Sequence, residues 1–493
     1  MSRSYLAILF VLGCAACGDD GGGGGGSGTG SVLQHHNNAA RDGVYVDPLL
    51  TKAAVAGLHE DSTFSATIDG PTYAQPLYAE AAVGGKDVIV IATERNVVYA
   101  LDAASGAVVW QTAPLATPVA RTNLPCGNID PLGITGTPYI DLGSRTIYLG
   151  AMTTPDGGAT KKHEIFALSL DDGSVRSGWP VDVPAAVPGF QSDVQNQRGA
   201  LVVEDGVLYV PYGGHYGDCG SYHGWLVGVN LADPTKVTAW STAAKGGGAW
   251  SAGGVSSDGT GLYLTTGNTF DATTWGGGDA VIRLAKGPVF SMAAADYFAP
   301  TNWLDLDNTD LDMGTHALVT APGLSPSALV AGFGKDGKIY LLDRANLGGI
   351  GGQLARVAGA TGEITGAVTS YTTSAGTFIA YRIEGGTGAT CPNGTNGNMA
   401  AMMLVAGSPP TLMPAWCAKE HDQSLPITSM TDAAGTDAIV WNMGAHLYAY
   451  DAETGAELWT GGSLTNVRYF NTPIVAHGRV IVAGDDHVYA FTP

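Results

Sequence analysis

The chain has 493 residues, of which 44 are Asp or Glu and 23 are Lys or Arg, for a formal net charge of -21. Such a balance repels phosphate backbones and anionic headgroups, which argues against nucleic acid as a partner. With Gly 72 and only 14% charged residues, the composition points to many short strands joined by tight turns, an all-β class, rather than to long exposed helices.

At the N-terminus Arg3 precedes the apolar run YLAILFVLG, followed by Cys14, Ala15, Ala16 and Cys17. The pattern resembles a bacterial lipoprotein signal, in which a small residue precedes a lipid-bearing Cys. The run is too short to span a bilayer permanently. Cys14, the preferred lipidation site, follows Val11, Leu12 and Gly13; Cys17 is the alternative, because the polar GDDGGGGGGSGTG stretch comes directly after it. The expected organisation is a signal and lipidation region over residues 1–17, a Gly-rich flexible tether over 18–42, and one folded unit over 43–493. An anchor of this kind implies export and attachment through lipid to a cell-envelope membrane, the outer membrane in particular.

Within the folded region a single unit recurs. Its third strand is clearest in VVYALDAASGAVVW, EIFALSLDDGSV, KIYLLDRANLGG, HLYAYDAETGAELW and the terminal HVYAFTP. The first strand of each copy follows AQPLYAE, GITGTPYID, RGALVVEDG, WSAGGVSSDG, THALVTAPG, ITGAVTSY, ITSMTDAAG and NTPIVAHG, eight in all. Each unit reads as four strands, so the pattern predicts an eight-bladed β-propeller of four-stranded blades.

The last copy ends at Pro493 after its third strand, so its outer strand must come from elsewhere. STFSATIDG, ahead of the first copy, is the expected donor. Pairing the two ends closes the ring and removes an open sheet edge. Trp110, Trp240 and Trp459 stand at outer-strand positions suited to packing between blades. Asp102 and Asp451, before SG and TG, are expected to hold turns.

Beyond the leader the cysteines are Cys126, Cys219, Cys391 and Cys417. Export makes disulfides the expectation, and Cys391 and Cys417 flank the hairpin-like MAAMMLVAG. None has zinc-site spacing.

The segments ALDAASGAVVW and AYDAETGAELW resemble the ALDxxTGxxxW hallmark of the pyrroloquinoline quinone (PQQ) type propeller repeat. That resemblance implies either a quinoprotein dehydrogenase or a non-catalytic envelope assembly lipoprotein. In the dehydrogenases a Trp floors the planar quinone, in a segment similar to GGGAWSAGG, which points to Trp250 as a cofactor contact. LYLTTGNTF resembles the strand whose Asn supplies oxygen to a calcium ion, which points to Asn268. NTDLDMGTHALV and the following GFGKDGKIYLLDR resemble the catalytic segments; by that match Asp310 is the general base and Lys335 the cation at the quinone. Asp312 matches the added carboxylate of lanthanide-dependent members.

Two departures accompany the match. The family's adjacent cysteine pair is replaced by a single Cys126, whose nearest candidate partner is Cys219. The family's metal-binding Glu falls near GGHYGDCGSYHGW, where His215, Asp218 and His223 stand instead; His215 is the metal-ligand candidate, although imidazole suits transition metals better than calcium. The chain carries no GxSxG turn, Walker loop, HExxH helix or CxxCH haem site, so electrons would pass to an external carrier.

The expected function is an envelope lipoprotein whose propeller is a rigid platform for an envelope protein or a small ligand. The alternative is a PQQ-dependent dehydrogenase acting on an alcohol or sugar, with Ca2+ or a lanthanide at a non-standard site.

Overall fold

Alternating apolar strands and glycine turns assemble into eight sheets, each mainly antiparallel, that follow one another around a ring. The computed structural model describes residues 30–385, 391–392, 397–419 and 424–493. The signal, Cys14, Cys17 and residues 18–29 of the expected tether lie outside them. In chain order the blades span 77–111, 139–182, 195–241, 256–299, 313–358, 369–418, 427–461 and 474–492. Among the described residues no helix is long and apolar enough to cross a membrane.

The core lies between blades. In the second strand of blade 1, Lys86–Ala92, Val88 and Val90 pack with Ile140, Ile147 and Leu149 of blade 2. Ile89 and Ile91 of the same strand pack with Val480 and Val482 of blade 8. Successive side chains leave opposite faces of a strand, so a strand sandwiched between two sheets must be apolar throughout. Burying each such side chain contributes about 1.5–3 kcal/mol.

The turn and outer-strand residues take the expected places. Asp102 Oδ1 accepts hydrogen bonds from the backbone N–H groups of Ala104 and Ser105 at 3.0 and 3.1 Å, and Asp451 Oδ1 does the same for Glu453 and Thr454, both at 3.0 Å. Trp110 Nε1 donates to Leu170 O of the next blade at 3.0 Å. Its ring lies over Gly173, where a Cβ would approach within 2.9 Å, and Gly173 also has φ +72. Trp416 repeats this arrangement over Gly455.

Blade 8 closes the ring as predicted. Ala66 and Thr67, inside STFSATIDG, pair antiparallel with Val488 and His487, and His59 and Glu60 pair with Thr492 and Phe491. Both segments satisfy the edge of His487–Thr492 that would otherwise be open.

Ahead of these strands, part of the stretch expected to be a tether belongs to the folded unit. Residues 30–42 are packed into the propeller. Val32 exchanges backbone hydrogen bonds with Tyr78 of blade 1, Leu33 O accepts from Ile140 of blade 2, and Ala39 O accepts from Ser257 of blade 4. Arg41, buried, donates to Leu201 O at 2.6 Å and Val255 O at 3.1 Å. Val44–Val46 then adds a parallel strand to blade 7. Stacked His35 and His36, with ring centroids 4.3 Å apart, are buried along this path. The segment stays ordered because its backbone polar groups find partners on successive blades.

Candidate functional site

Trp250 lies in the loop leading into blade 4. Glycines allow the close approach around it: a Cβ on Gly267 would come within 2.3 Å of Asp312 Oδ2 and 2.8 Å of Trp250 Nε1. Trp250 Nε1 donates to Asp312 Oδ2 at 2.9 Å, and the backbone N–H of Asn268 reaches the same oxygen at 3.4 Å. Lys335 Nζ bridges Asp312 Oδ1 at 2.7 Å and Asp310 Oδ1 at 2.8 Å. The same ammonium stands 5.5 Å from the centroid of the Trp250 ring. The structure thus joins Trp250, Asn268, Asp310, Asp312 and Lys335 in one network.

The two carboxylates differ in setting. Asp312 is 3% exposed; burial pushes its pKa up to about 6, against the pull of Lys335. Burial also disfavours the Lys335 ammonium, but Asp312 and Asp310 outweigh it and hold its pKa above the ordinary lysine value. Asp310 caps the helix Trp303–Thr309 in the left-handed region, φ 56, with a side chain 66% exposed.

That helix covers most of the acidic segment WLDLDNTDLD. Its Asp307 is buried and clamps the neighbouring turn: Thr269 donates through N–H at 2.7 Å and through Oγ1 at 2.5 Å. Asp279, fully buried beside Asp307 and with neither carboxylate oxygen hydrogen-bonded, has its pKa pushed up to about 11, by burial first and then by that acidic neighbour. An ionised carboxylate without donors is costly in such a place, so Asp279 is held as the protonated acid. Asp307 ties the Asn268–Thr269 turn to the helix that presents Asp310.

His215 does not join the network. It is buried, its Nε2 faces Asp193 O at 3.2 Å, and burial lowers its pKa to about 4. Asp218 accepts from Tyr222 OH at 2.6 Å, and His223 Nδ1 pairs with Thr242 O at 3.1 Å. Among the described residues no group of three or more His, Cys, Asp and Glu side chains has the geometry to hold a metal ion.

Cys126 and Cys219 are bonded, with Cα atoms 6.0 Å apart, and so are Cys391 and Cys417, at 5.6 Å. The first bond ties the loop after blade 1 to the loop within blade 3 that carries His215, Asp218 and Tyr222. It is a cross-link between loops, not between neighbours in sequence.

Phe470, whose ring is 6.5 Å from that of Trp250, and Arg198 stand at the centre of the ring beside this network, here called the funnel, and the sequence did not single them out. Phe470 precedes NTPIVAHG as Trp250 opens WSAGGVSSDG, so aligning the repeats on those segments would have found it. Arg198 lies 5.8 Å over the Phe470 ring. Tyr469 beside it hydrogen-bonds Glu384, Thr365 and Arg382. Asp279, Asp307 and Thr269 carried no motif at all.

A family profile described as outer membrane protein assembly factor BamB matches residues 414–493. No curated protein sequence matches the chain. Among solved structures, the quinohemoprotein alcohol dehydrogenase of Pseudomonas putida HK5 superposes with TM-score 0.65 at 13% identity, over 94% of this chain and 80% of that one. The quinohemoprotein alcohol dehydrogenase of Comamonas testosteroni gives TM-score 0.65 at 15% identity, over 94% and 80%. A europium-containing methanol dehydrogenase gives TM-score 0.63 at 15% identity, over 94% and 98%. Likeness at these identities concerns the fold, and function has to be argued from the site.

Proposed function

Starting from a chain of PQQ-like propeller repeats, we propose that the protein is a quinoprotein-type oxidoreductase of the cell envelope, with its cofactor against Trp250. One observation carries the reading: residues 250, 268, 310, 312 and 335, distant in sequence, form a single contact network. The envelope location is supported by the lipoprotein-like leader and by the outer-membrane factor whose profile the C-terminal region matches.

The residues fit such a group. Trp250 offers a flat aromatic face with a cation beside it. Lys335 takes one oxygen from each carboxylate and Trp250 takes the second oxygen of Asp312, which leaves Asp310 Oδ2 and the Asn268 side-chain amide as oxygen donors for a hard cation. When bound, the quinone supplies a two-electron acceptor for an alcohol or sugar.

Within that reading Asp310, exposed at the helix end, takes the substrate hydroxyl proton. Lys335 keeps positive charge where negative charge develops. Asp312 fixes the indole and the ammonium relative to one another.

Calorimetric titration of the mature protein with PQQ, with and without Ca2+ or a lanthanide, tests the reading, followed by dye reduction. Metal-linked saturable binding is expected, with dye reduction lost in Asp310→Ala while the fold is retained. A folded sample that binds no PQQ overturns it.

A second reading, the binding platform, is favoured by Phe470, whose ring centroid, 6.5 Å from that of Trp250, takes up space beside the indole. It predicts no PQQ binding and one discrete crosslink from a probe at Tyr216, which is 66% exposed, in intact envelopes.

A further inference from the structure

Among the cations of the funnel, Arg198 stands apart. Lys335 is held by Asp310 and Asp312, Arg468 by Asp485, and Arg382 by Tyr469. Arg198, part-buried in the NQRGALVV segment that leads into blade 3, donates no hydrogen bond to any described residue. Glu94, Asp218, Tyr73 and Tyr469 feel its charge without bonding to it, and burial lowers its pKa. A guanidinium carries five N–H donors and stays charged, so a desolvated one without acceptors is a strong demand for an anion.

A second observation points the same way. Arg198 borders a cavity of about 10 Å³, lined also by His35, Tyr73, Thr135, Thr137, Ala252 and Phe470. His35 is 2% exposed, and neither of its ring nitrogens has a partner. Thr137 Oγ1 accepts from Gln75 N–H at 3.0 Å, which leaves its own hydroxyl proton to donate. The volume suits a single water-sized polar group rather than a whole ligand. The guanidinium carbon stands 5.8 Å from the Phe470 ring centroid, and a guanidinium without acceptors is matched by a carboxylate, which it can hold through two parallel hydrogen bonds.

We propose that Arg198 is an anion-binding residue of the channel that receives a carboxylate group, from a polycarboxylate ligand standing in the funnel or from a small free carboxylate. The proposal rests on the funnel being a ligand site, and not on the ligand being a quinone. Glu94, buried nearby with Oε2 engaged by Gly133 N–H at 2.6 Å, makes no hydrogen bond to Arg198.

The test is calorimetric titration of the mature protein with tricarballylate, a redox-inert tricarboxylate, beside chloride alone and PQQ alone. Saturable tricarballylate binding is expected, weakened about 10-fold or more by Arg198→Met and partly restored by Arg198→Lys. Circular dichroism melts check that both variants fold. Equal affinity in Arg198→Met, or no tricarballylate binding by the wild type, overturns the proposal whatever PQQ does. Chloride binding that depends on Arg198 without any tricarballylate binding also overturns it, in favour of a halide site. If tricarballylate binds through Arg198 while PQQ does not bind, the carboxylate site stands and the quinone reading falls.

Discussion

Trp250 and Phe470 come from the loops leading into blades 4 and 8, which lie opposite each other in the ring, yet their ring centroids are only 6.5 Å apart. Lys335 covers the first ring and Arg198 the second. The centre of the propeller is therefore two aromatic rings flanked by two cations, in a chain whose overall charge is -21.

Asp279 makes stability depend on pH with a defined sign. Unfolded, it ionises near the ordinary value of about 3.9; folded, it holds its proton to about pH 11. Between those values the native state binds the extra proton, so stability falls with rising pH, by about 1.4 kcal/mol per pH unit. Below the ordinary Asp range the penalty is absent. Asp279→Asn keeps the size and shape of the side chain and removes the titration, so its advantage over wild type should widen from about pH 5 to about pH 9 in guanidinium unfolding. An advantage that does not change with pH would contradict the protonated acid.

Asp312→Ala strips the buried partner of Lys335 and the acceptor of Trp250 Nε1. The expected cost is on the order of 3 kcal/mol, because the ammonium remains desolvated. Combining it with Lys335→Met should cost less than the sum of the two single changes. Urea unfolding of the four proteins in that cycle measures the coupling, and strict additivity would rule out the network.

The Cys126–Cys219 bond spans 93 residues of sequence. The chain-entropy account assigns a cross-link of that span roughly 4–5 kcal/mol as an upper value. Replacing both cysteines by Ser should lower the unfolding midpoint and raise amide exchange most strongly over residues 213–222. Uniform exchange across the molecule would show that the bond does not hold that loop.

The N-terminal segment is part of the fold. A chain starting at Gly30 is expected to unfold at the same denaturant concentration as the mature protein. One starting at Asp69 loses the channel segment and both stretches that pair with His487–Thr492, and its open edge should drive aggregation. Size-exclusion chromatography separates these outcomes; a stable monomer from the shorter chain would show that closure is dispensable.

Blade number, strand order and the pairing of STFSATIDG with the last strand were readable from the sequence, because they rest on local signals. Apolar runs such as DVIVIA, Asp-led turns such as Asp102 and Asp451, and a third strand left without an outer neighbour all repeat along the chain. The five residues of the Trp250–Lys335 network were singled out through resemblance alone, and their convergence was decided by the ring, which brings blade 4 loops beside the helix ahead of blade 5. The folded stretch 30–42, Arg198 against Phe470 and the Asp279–Asp307 pair left no such signal. They lie in loops and at loop ends, where polar side chains occur without period. Whether a polar residue in a loop meets solvent or a buried partner depends on which distant loops the closed ring sets against it, and that is a property of the tertiary structure.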